Sequence, residues 1–477
     1  MLTRRELIAG TAGAALAAGG IYELVERLGT TPKRAAAAPT QRSEQHELSG
    51  LRIVESEGVE VVVLPLHHQV VTARVAVAGK AGVLRSAQAR LEEVLRSLER
   101  DLEPTPAGVG MTLAWGLPYF RRYVPELAAR HLPTDRRATM SRRRPVPALL
   151  DAIRFPSDPP EAILEENDVA VLLRSDHLAH VEEAAKALFD ELDVFEVTSI
   201  RKGFVGGGFD GGRSLPKRMA LAAAIPGAEL IPETAQLFLG FTSTQRAGLG
   251  PERIANLETL GYTDAENGYF AGGTHLHLSH LFEDLEAWYL NFDFRERVDT
   301  TFRPGLHVRS GAETVRQGPE DVATDAGVVR DFRLRGRIGH SAAIQPTSRL
   351  ARDTVGSDGT VYRKGTAVPQ RADFNTLDNP FFWSSQPERD RMNDEPAAGI
   401  HFVVFNPTSD DFHRNRLAMD GVLPDGTRLP FLPRARGQGI NSVLRTTHRQ
   451  NFLVPPRRHR SFPLVELLPA SSRAPRA

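Results

Sequence analysis

The sequence predicts an α+β fold built from two ferredoxin-like modules. Three observations carry the prediction. Short β-branched runs alternate with a helical leucine pattern in strand–helix–strand order, twice, before residue 215. The same order recurs after residue 270. A length of 477 residues accommodates two such units.

The elements follow in order. Residues 59–64 and 70–77 are rich in valine and read as strands. Leu91, Leu95, Leu98 and Leu102 are spaced as one face of a helix over residues 87–102. Residues 110–115 read as a strand, and residues 168–173 as another. A helix over 177–192 and a strand over 194–201 complete the first unit, whose order is ferredoxin-like. In the second half, residues 274–281 read as a strand and 282–301 as a helix. Residues 399–405 then read as a strand, and a helix starts at 412–419. No sequence repeat links the halves, so the second module is a prediction of topology. The Gly-rich loop 206–212 lacks the spacing of a dinucleotide fingerprint. Residues 303–379 hold few apolar runs and read as a long functional loop.

Composition excludes several function classes. Lys+Arg and Asp+Glu are both 59, so the net charge is zero and a polybasic nucleic-acid binder is excluded. There is no Cys, hence no disulfide scaffold, thiolate metal site, iron–sulfur cluster or cysteine nucleophile. The hydrophobic fraction of 41% supports an ordinary globular core.

The N-terminus reads as an export signal. Arg4-Arg5 precedes an Ala/Gly-rich apolar run, and Ala35 to Ala38 offers small residues for cleavage. The paired arginines point to the twin-arginine translocase and to an extracytoplasmic or secreted protein. The resulting division is a signal over 1–40, a first module over 41–215 and a second over 216–477. Twin-arginine export carries folded proteins, which directs attention to a cofactor. Without Cys, its protein ligands are His, Tyr, Met or carboxylates.

Asp168 to Arg174, Leu239 to Phe241, Gly272 to Leu276, Gly399 to Phe405 and Phe452 to Pro456, in that order, resemble motifs of the dye-decolourising (Dyp-type) peroxidases. Asp168 to Arg174 resembles that family's first-domain strand. Leu239-Gly240-Phe241 resembles the start of its GFxDG motif. Gly272-Gly273-Thr274-His275-Leu276, with the helix carrying Trp288, resembles its GGSY strand and the helix after it. Gly399 to Phe405 resembles GLLFxxF, and Phe452 to Pro456 resembles FFVPP. The resemblance implies two ferredoxin-like modules of the dimeric α+β barrel type, with haem b in the second module. It also implies a proximal His on the iron, a distal Asp and a distal Arg.

Carried onto this sequence, the resemblance makes His340, after Gly339, the iron ligand. A neutral imidazole suits a haem whose sixth position must stay open. Arg363, in Thr360 to Gly365, resembles the ILRRG arginine; its fixed charge would stabilise the anion formed as a peroxide O–O bond breaks. The acid position of GFxDG holds Ser243, whose hydroxyl does not take a proton from peroxide near neutral pH. Asp210, in Gly208-Phe209-Asp210-Gly211, is a rival acid. Thr408 or Asp410 would fall near the second-shell acid that orients a ligand His. His275 and His280 are expected at the haem edge, with His275 and His277 on one face of a strand and His280 on the other. Trp115, Trp288 and Trp383 read as core residues.

These expectations amount to an exported haem b protein that uses hydrogen peroxide to oxidise an organic reductant, with activity weakened at Ser243. The alternative is a non-catalytic haem carrier, sensor or structural exoprotein on the same fold. A third reading is a haem-free metal site at His275 and His277. Self-association stays open.

Overall fold

The computed structural model describes residues 21–32, 34, 43–208, 212–250, 261–316, 323–356, 359–379, 396–430, 432 and 438–469. Eight strands form its centre: β1 (His67–Val75), β2 (Gly110–Gly116), β3 (Val169–Ser175), β4 (Phe195–Phe204), β5 (Thr274–Glu283), β6 (Phe374–Thr376), β7 (Gly399–Asn406) and β8 (Leu444–Val454). In the first half the antiparallel order is β4-β1-β3-β2. In the second it is β8-β5-β7-β6. With β5 to β8 numbered one to four, both halves share the order 4-1-3-2, so the second unit has the ferredoxin-like topology of the first.

The two sheets join edge to edge. Phe452 and Leu453 of β8 pair with Gly116 and Trp115 of β2, and Asn375 of β6 pairs with Phe204 of β4. The eight strands therefore close into one barrel, which leaves no free edge among them. Alternation along each strand then decides which side chains face inward. Val70, Ala114, Leu172, Leu278, Val403 and Phe452 share one buried cluster inside the barrel.

Helices cover the outside. In the first module, α1 (Ala81–Asp101) and α2 (Leu178–Phe189) bury Leu84, Leu91, Leu95, Val181 and Leu188 against Leu113, Trp115, Val171 and Leu173. Around the second module lie α3 (Leu285–Asn291), α4 (Phe294–Thr301), α5 (His340–Ser348) and α6 (Ser409–Met419). The expected helix over 282–301 is in fact two. β5 continues to Glu283, and the Asp293–Glu296 capping box starts α4 afresh. The expected long loop 303–379 also contains two helices, Asp325–Arg335 and α5. Their polar composition hid them: each buries only a narrow apolar face.

The first 40 residues do not all stand outside the fold, as the sequence suggested. Arg4-Arg5 and Ala35–Ala38 lie outside the described residues, but Glu23–Leu28 is a helix docked on the second-module core. Ile21, Leu24 and Val25 recur at helical spacing and bury one face, with Val25 fully buried. The Tyr22 hydroxyl donates to Asp378 Oδ1 at 2.6 Å, and Arg34 Nε donates to buried Asp176 at 2.5 Å. Among the described residues no helix is long and apolar enough to cross a membrane.

A chain beginning at residue 43 should therefore be less stable in urea than one beginning at residue 20. The loss should be at least about 3 kcal/mol, from the hydrogen bonds that Arg34 and Tyr22 make to Asp176 and Asp378 and from the exposed apolar face. Equal midpoints would show that the segment contributes nothing.

Candidate functional site

The outer faces of the two modules differ. The helices of the first fill theirs with leucine, whereas those of the second leave a cavity of about 230 Å³, counted as the space open to the centre of a water molecule. Its floor is the outward face of the sheet: Ser279, Leu281 and Glu283 of β5, Ile400, Phe402 and Val404 of β7, and Leu444 and Thr446 of β8. Helices α5 and α6, Phe302 at the end of α4 and the loops 237–248 and 367–373 form the walls. The lining is mostly apolar, with a few polar groups converging, as small-molecule sites are.

His340 lines this cavity as the first residue of α5. The preceding Gly339 is required by close approach: a Cβ there would lie 2.3 Å from the Phe302 carbonyl oxygen. That carbonyl instead accepts from Ala342 N at 3.0 Å, tying the end of α4 to the start of α5. His340 Nδ1 is buried without a hydrogen-bond partner, and Nε2 is the accessible nitrogen. Burial, with Arg371 and Arg416 nearby, pushes the imidazole pKa down to about 4, so the ring is neutral at pH 7.

Ser243 also lines the cavity, on a loop pinned from several sides. Trp288 Nε1 and the Tyr289 hydroxyl of α3 donate to the carbonyls of Leu239 and Phe238 at 3.0 and 2.7 Å. Ser243 N donates to Gln236 Oε1 at 3.0 Å, and Thr244 Oγ1 donates to the Val62 carbonyl at 2.6 Å. Gly240 adopts a positive φ of 89° at the turn.

Arg363 is placed elsewhere. It sits on an exposed two-stranded ribbon, Thr354–Val355 against Val361–Tyr362, with its side chain 77% exposed and donating to Asp353 at 2.7 Å. The arginine in the cavity wall beside Ser243 is Arg371, whose Nη2 donates to the Ser243 carbonyl. Residues 370–371 pair with Phe405 and Val404 of β7, and β6 continues along the same strand. Two-residue periodicity therefore puts Arg371 and Asp373 both in the cavity wall, while Phe374 joins the barrel core. The alternation Arg371-Ala372-Asp373-Phe374 was the available signal; a stretch read as loop concealed it.

Asp373 and Glu283 are the cavity's two carboxylates, 4% and 3% exposed. Asp373 Oδ1 and Glu283 Oε2 each lack a hydrogen-bond partner. Burial, then the neighbouring Asp373, pushes Glu283 up to about 8. Burial also raises Asp373, opposed by Arg371, by its own backbone N–H and by the Ser243 hydroxyl within hydrogen-bonding reach. Two further arginines, Arg416 and Arg449, are occupied by Asp158 at 3.5 and 2.6 Å. Among the described residues, Arg349 and Arg371 have no carboxylate within ion-pairing distance; Arg349 donates to the carbonyls of Ala247 and Gly365.

The remaining expected residues fall outside the cavity lining. His275 is buried with Nδ1 against the Pro407 carbonyl at 2.9 Å. His280 lies on the opposite face of β5, its Nδ1 at 2.7 Å from Thr447 Oγ1. The strand's alternation placed His275 and His277 away from His280 as expected, but the cavity begins only at Ser279. His277 is engaged at both nitrogens, by Asn451 and Ser279, which leaves it no lone pair for the expected metal site. Among the described residues no group of three or more acids and histidines is arranged to hold a metal ion. Thr408 caps α6 together with Asp411, and Asp410 pairs with Arg137, so neither serves His340. Asp210 lies outside the described residues.

A model of a family of unknown function, DUF7405, matches residues 65–456. No curated protein sequence matches the chain. The fold is similar to several DyP-type peroxidases over most of its length. One is the encapsulated DyP-type peroxidase from Mycobacterium smegmatis, at 13% identity, TM-score 0.47, covering 84% of this chain and 95% of that one. Another is a dye-decolorizing peroxidase from Bacteroides thetaiotaomicron, at 13% identity, TM-score 0.47, covering 83% and 94%. A third is a variant of Rhodococcus jostii DypB in complex with heme, at 12% identity, TM-score 0.46, covering 84% and 96%.

The raised pKa of Glu283 has a consequence for stability. The folded protein holds this proton more tightly than the unfolded chain, whose value is 4.5, so its contribution is complete below pH 4.5 and is lost as pH rises to about 8. The stability difference, wild type minus Glu283→Gln, should fall across that window in urea titrations. A difference independent of pH would show that Glu283 ionises normally.

Proposed function

We propose that this chain, which belongs to the family of unknown function DUF7405, is an exported haem b-binding protein of the dye-decolourising-peroxidase type. The observation that carries the reading is the second-module cavity. It sets the free imidazole of His340 at the head of α5 and Arg371 beside the Ser243 loop in the wall. The ordered motifs from Asp168 to Pro456 support it.

The residues fit the cofactor. A neutral imidazole is an axial iron ligand. Leu281, Phe241, Phe302 and Phe402 offer apolar walls to a flat macrocycle. Arg349, without a carboxylate partner among the described residues, suits a propionate. Haem, when bound, supplies the redox chemistry by which hydrogen peroxide is reduced at the expense of an organic reductant.

The chain's own residues do the rest. His340 would hold the iron through its imidazole. Arg371, permanently charged, offers its guanidinium to the anion that develops as the O–O bond breaks. The Ser243 hydroxyl oxygen would accept a hydrogen bond from peroxide and so orient it, but would not remove a proton from it. The apolar walls exclude water, which strengthens each of these interactions.

A second reading, a non-catalytic haem carrier on the same fold, is favoured by two observations: Ser243 replaces the acid, and among the described residues no carboxylate hydrogen-bonds His340 Nδ1. Absorption spectra with added haemin separate the readings. A Soret band should form and be lost in His340→Ala. Arg371→Leu should slow the response of that band to peroxide by about 10²–10³-fold, while Arg363→Leu leaves it unchanged. A band indifferent to peroxide would favour the carrier, and no band at all would remove both readings.

A further inference from the structure

Resting on that reading, we propose that Asp373 is the base that takes the peroxide proton in this cavity, in place of the acid missing at Ser243, with Glu283 as the protonated neighbour that keeps the pair singly charged. Both carboxylates line the cavity, both are nearly fully buried, and each has an oxygen with no hydrogen-bond partner. Buried oxygens left unpaired in a cavity wall are costly unless a ligand or proton meets them.

Their surroundings assign the two roles. Asp373 has Arg371 two residues away, its own backbone N–H and the Ser243 hydroxyl, all of which favour its charged form. Glu283 has none of these; its charged form is opposed by burial and by Asp373 itself. Two adjacent carboxylates in a dry site do not both ionise, and the one with donors carries the charge. The other titratable or charged groups of the site are Arg349, Arg416, Arg449, His340 and Tyr289.

The step is a proton transfer. An O–H bond of hydrogen peroxide breaks, an O–H bond forms on Asp373 Oδ1, and the electron pair stays on the peroxide oxygen. Asp373 later returns the proton to the leaving oxygen and recovers its charge, so the chain gains and loses nothing. Arg371 compensates the negative charge while it resides on oxygen. Ser243 is a positioning residue: its hydroxyl lies within reach of the Asp373 carboxylate, on the side where the family motif would place its own acid.

The test uses two readouts. In the protein without haem, the infrared band of a protonated carboxyl should be present at pH 7 and absent in Glu283→Gln. Asp373→Asn should keep the band and move its titration to lower pH. In the haemin-loaded protein, Asp373→Asn should slow the peroxide-dependent Soret change by about 10²–10⁴-fold, with haemin affinity unchanged. Adding Ser243→Asp to Asp373→Asn should recover part of that rate by returning a carboxylate to the same side of the cavity. An Asp373→Asn protein that reacts like wild type would overturn the assignment alone. A carboxyl band that persists in Glu283→Gln would overturn the role of Glu283. Haemin that fails to bind either protein would instead overturn the cofactor reading, seen directly as a missing Soret band.

Discussion

Closure of two four-stranded sheets into one barrel is the constraint on which the rest of the molecule depends. Once β2 meets β8 and β4 meets β6, every strand has one face sealed inside. Function is left to the outward faces and their helical cover. Register decides what those faces carry. β5 pairs with β7 over eight residues, from Gly399 with Phe282 to Asn406 with His275. That pairing sends Ser279, Leu281 and Glu283 outward and Leu278 and His280 inward; a slip by one residue would exchange the two sets.

The two modules share a topology and differ in how that outward face is covered. Leucines of α1 and α2 close the space over the first sheet. Over the second, α5 begins at a glycine wedged against the Phe302 carbonyl and contains Pro346, which cuts its hydrogen-bond ladder. A short helix with little apolar surface cannot fill the space that a long leucine-rich helix fills. The cavity is the result, and His340 stands at its wall because the helix starts there.

Electrostatics divides this cavity into two chemistries. Arg416 and Arg449 are tied to Asp158, whereas among the described residues Arg371 and Arg349 donate to carbonyls and pair with no carboxylate. Burial, helped by positive charge nearby, keeps the His340 ring neutral, and among the described residues no carboxylate hydrogen-bonds Nδ1. An imidazole without that second hydrogen bond is a weaker donor to a metal than one with it. On the proposed reading, the cost of this falls on the high oxidation states of the iron. Glu283 and Asp373 line the same cavity, and on the proposed reading their carboxylates are available for protons.

The local pattern of residues determined a good deal by itself. Apolar and β-branched runs marked β1 to β4, leucine spacing marked α1, and a recurring strand–helix order implied the second module; each depends on neighbours in sequence, where periodicity is informative. His340 and Ser243 were legible through motif order. Only the tertiary structure decided which arginine and which acid share a cavity with them. Arg363 and Arg371 are eight positions apart in one polar stretch, and nothing local separates an exposed ribbon from a strand added to β7. The docked residues 21–32 and 34 were hidden for a similar reason: an apolar helix face reads the same whether it awaits a membrane, a protease or the protein's own core. Placement of a charged side chain depends on the partners that meet it across hundreds of residues, and those partners become neighbours only when the barrel closes.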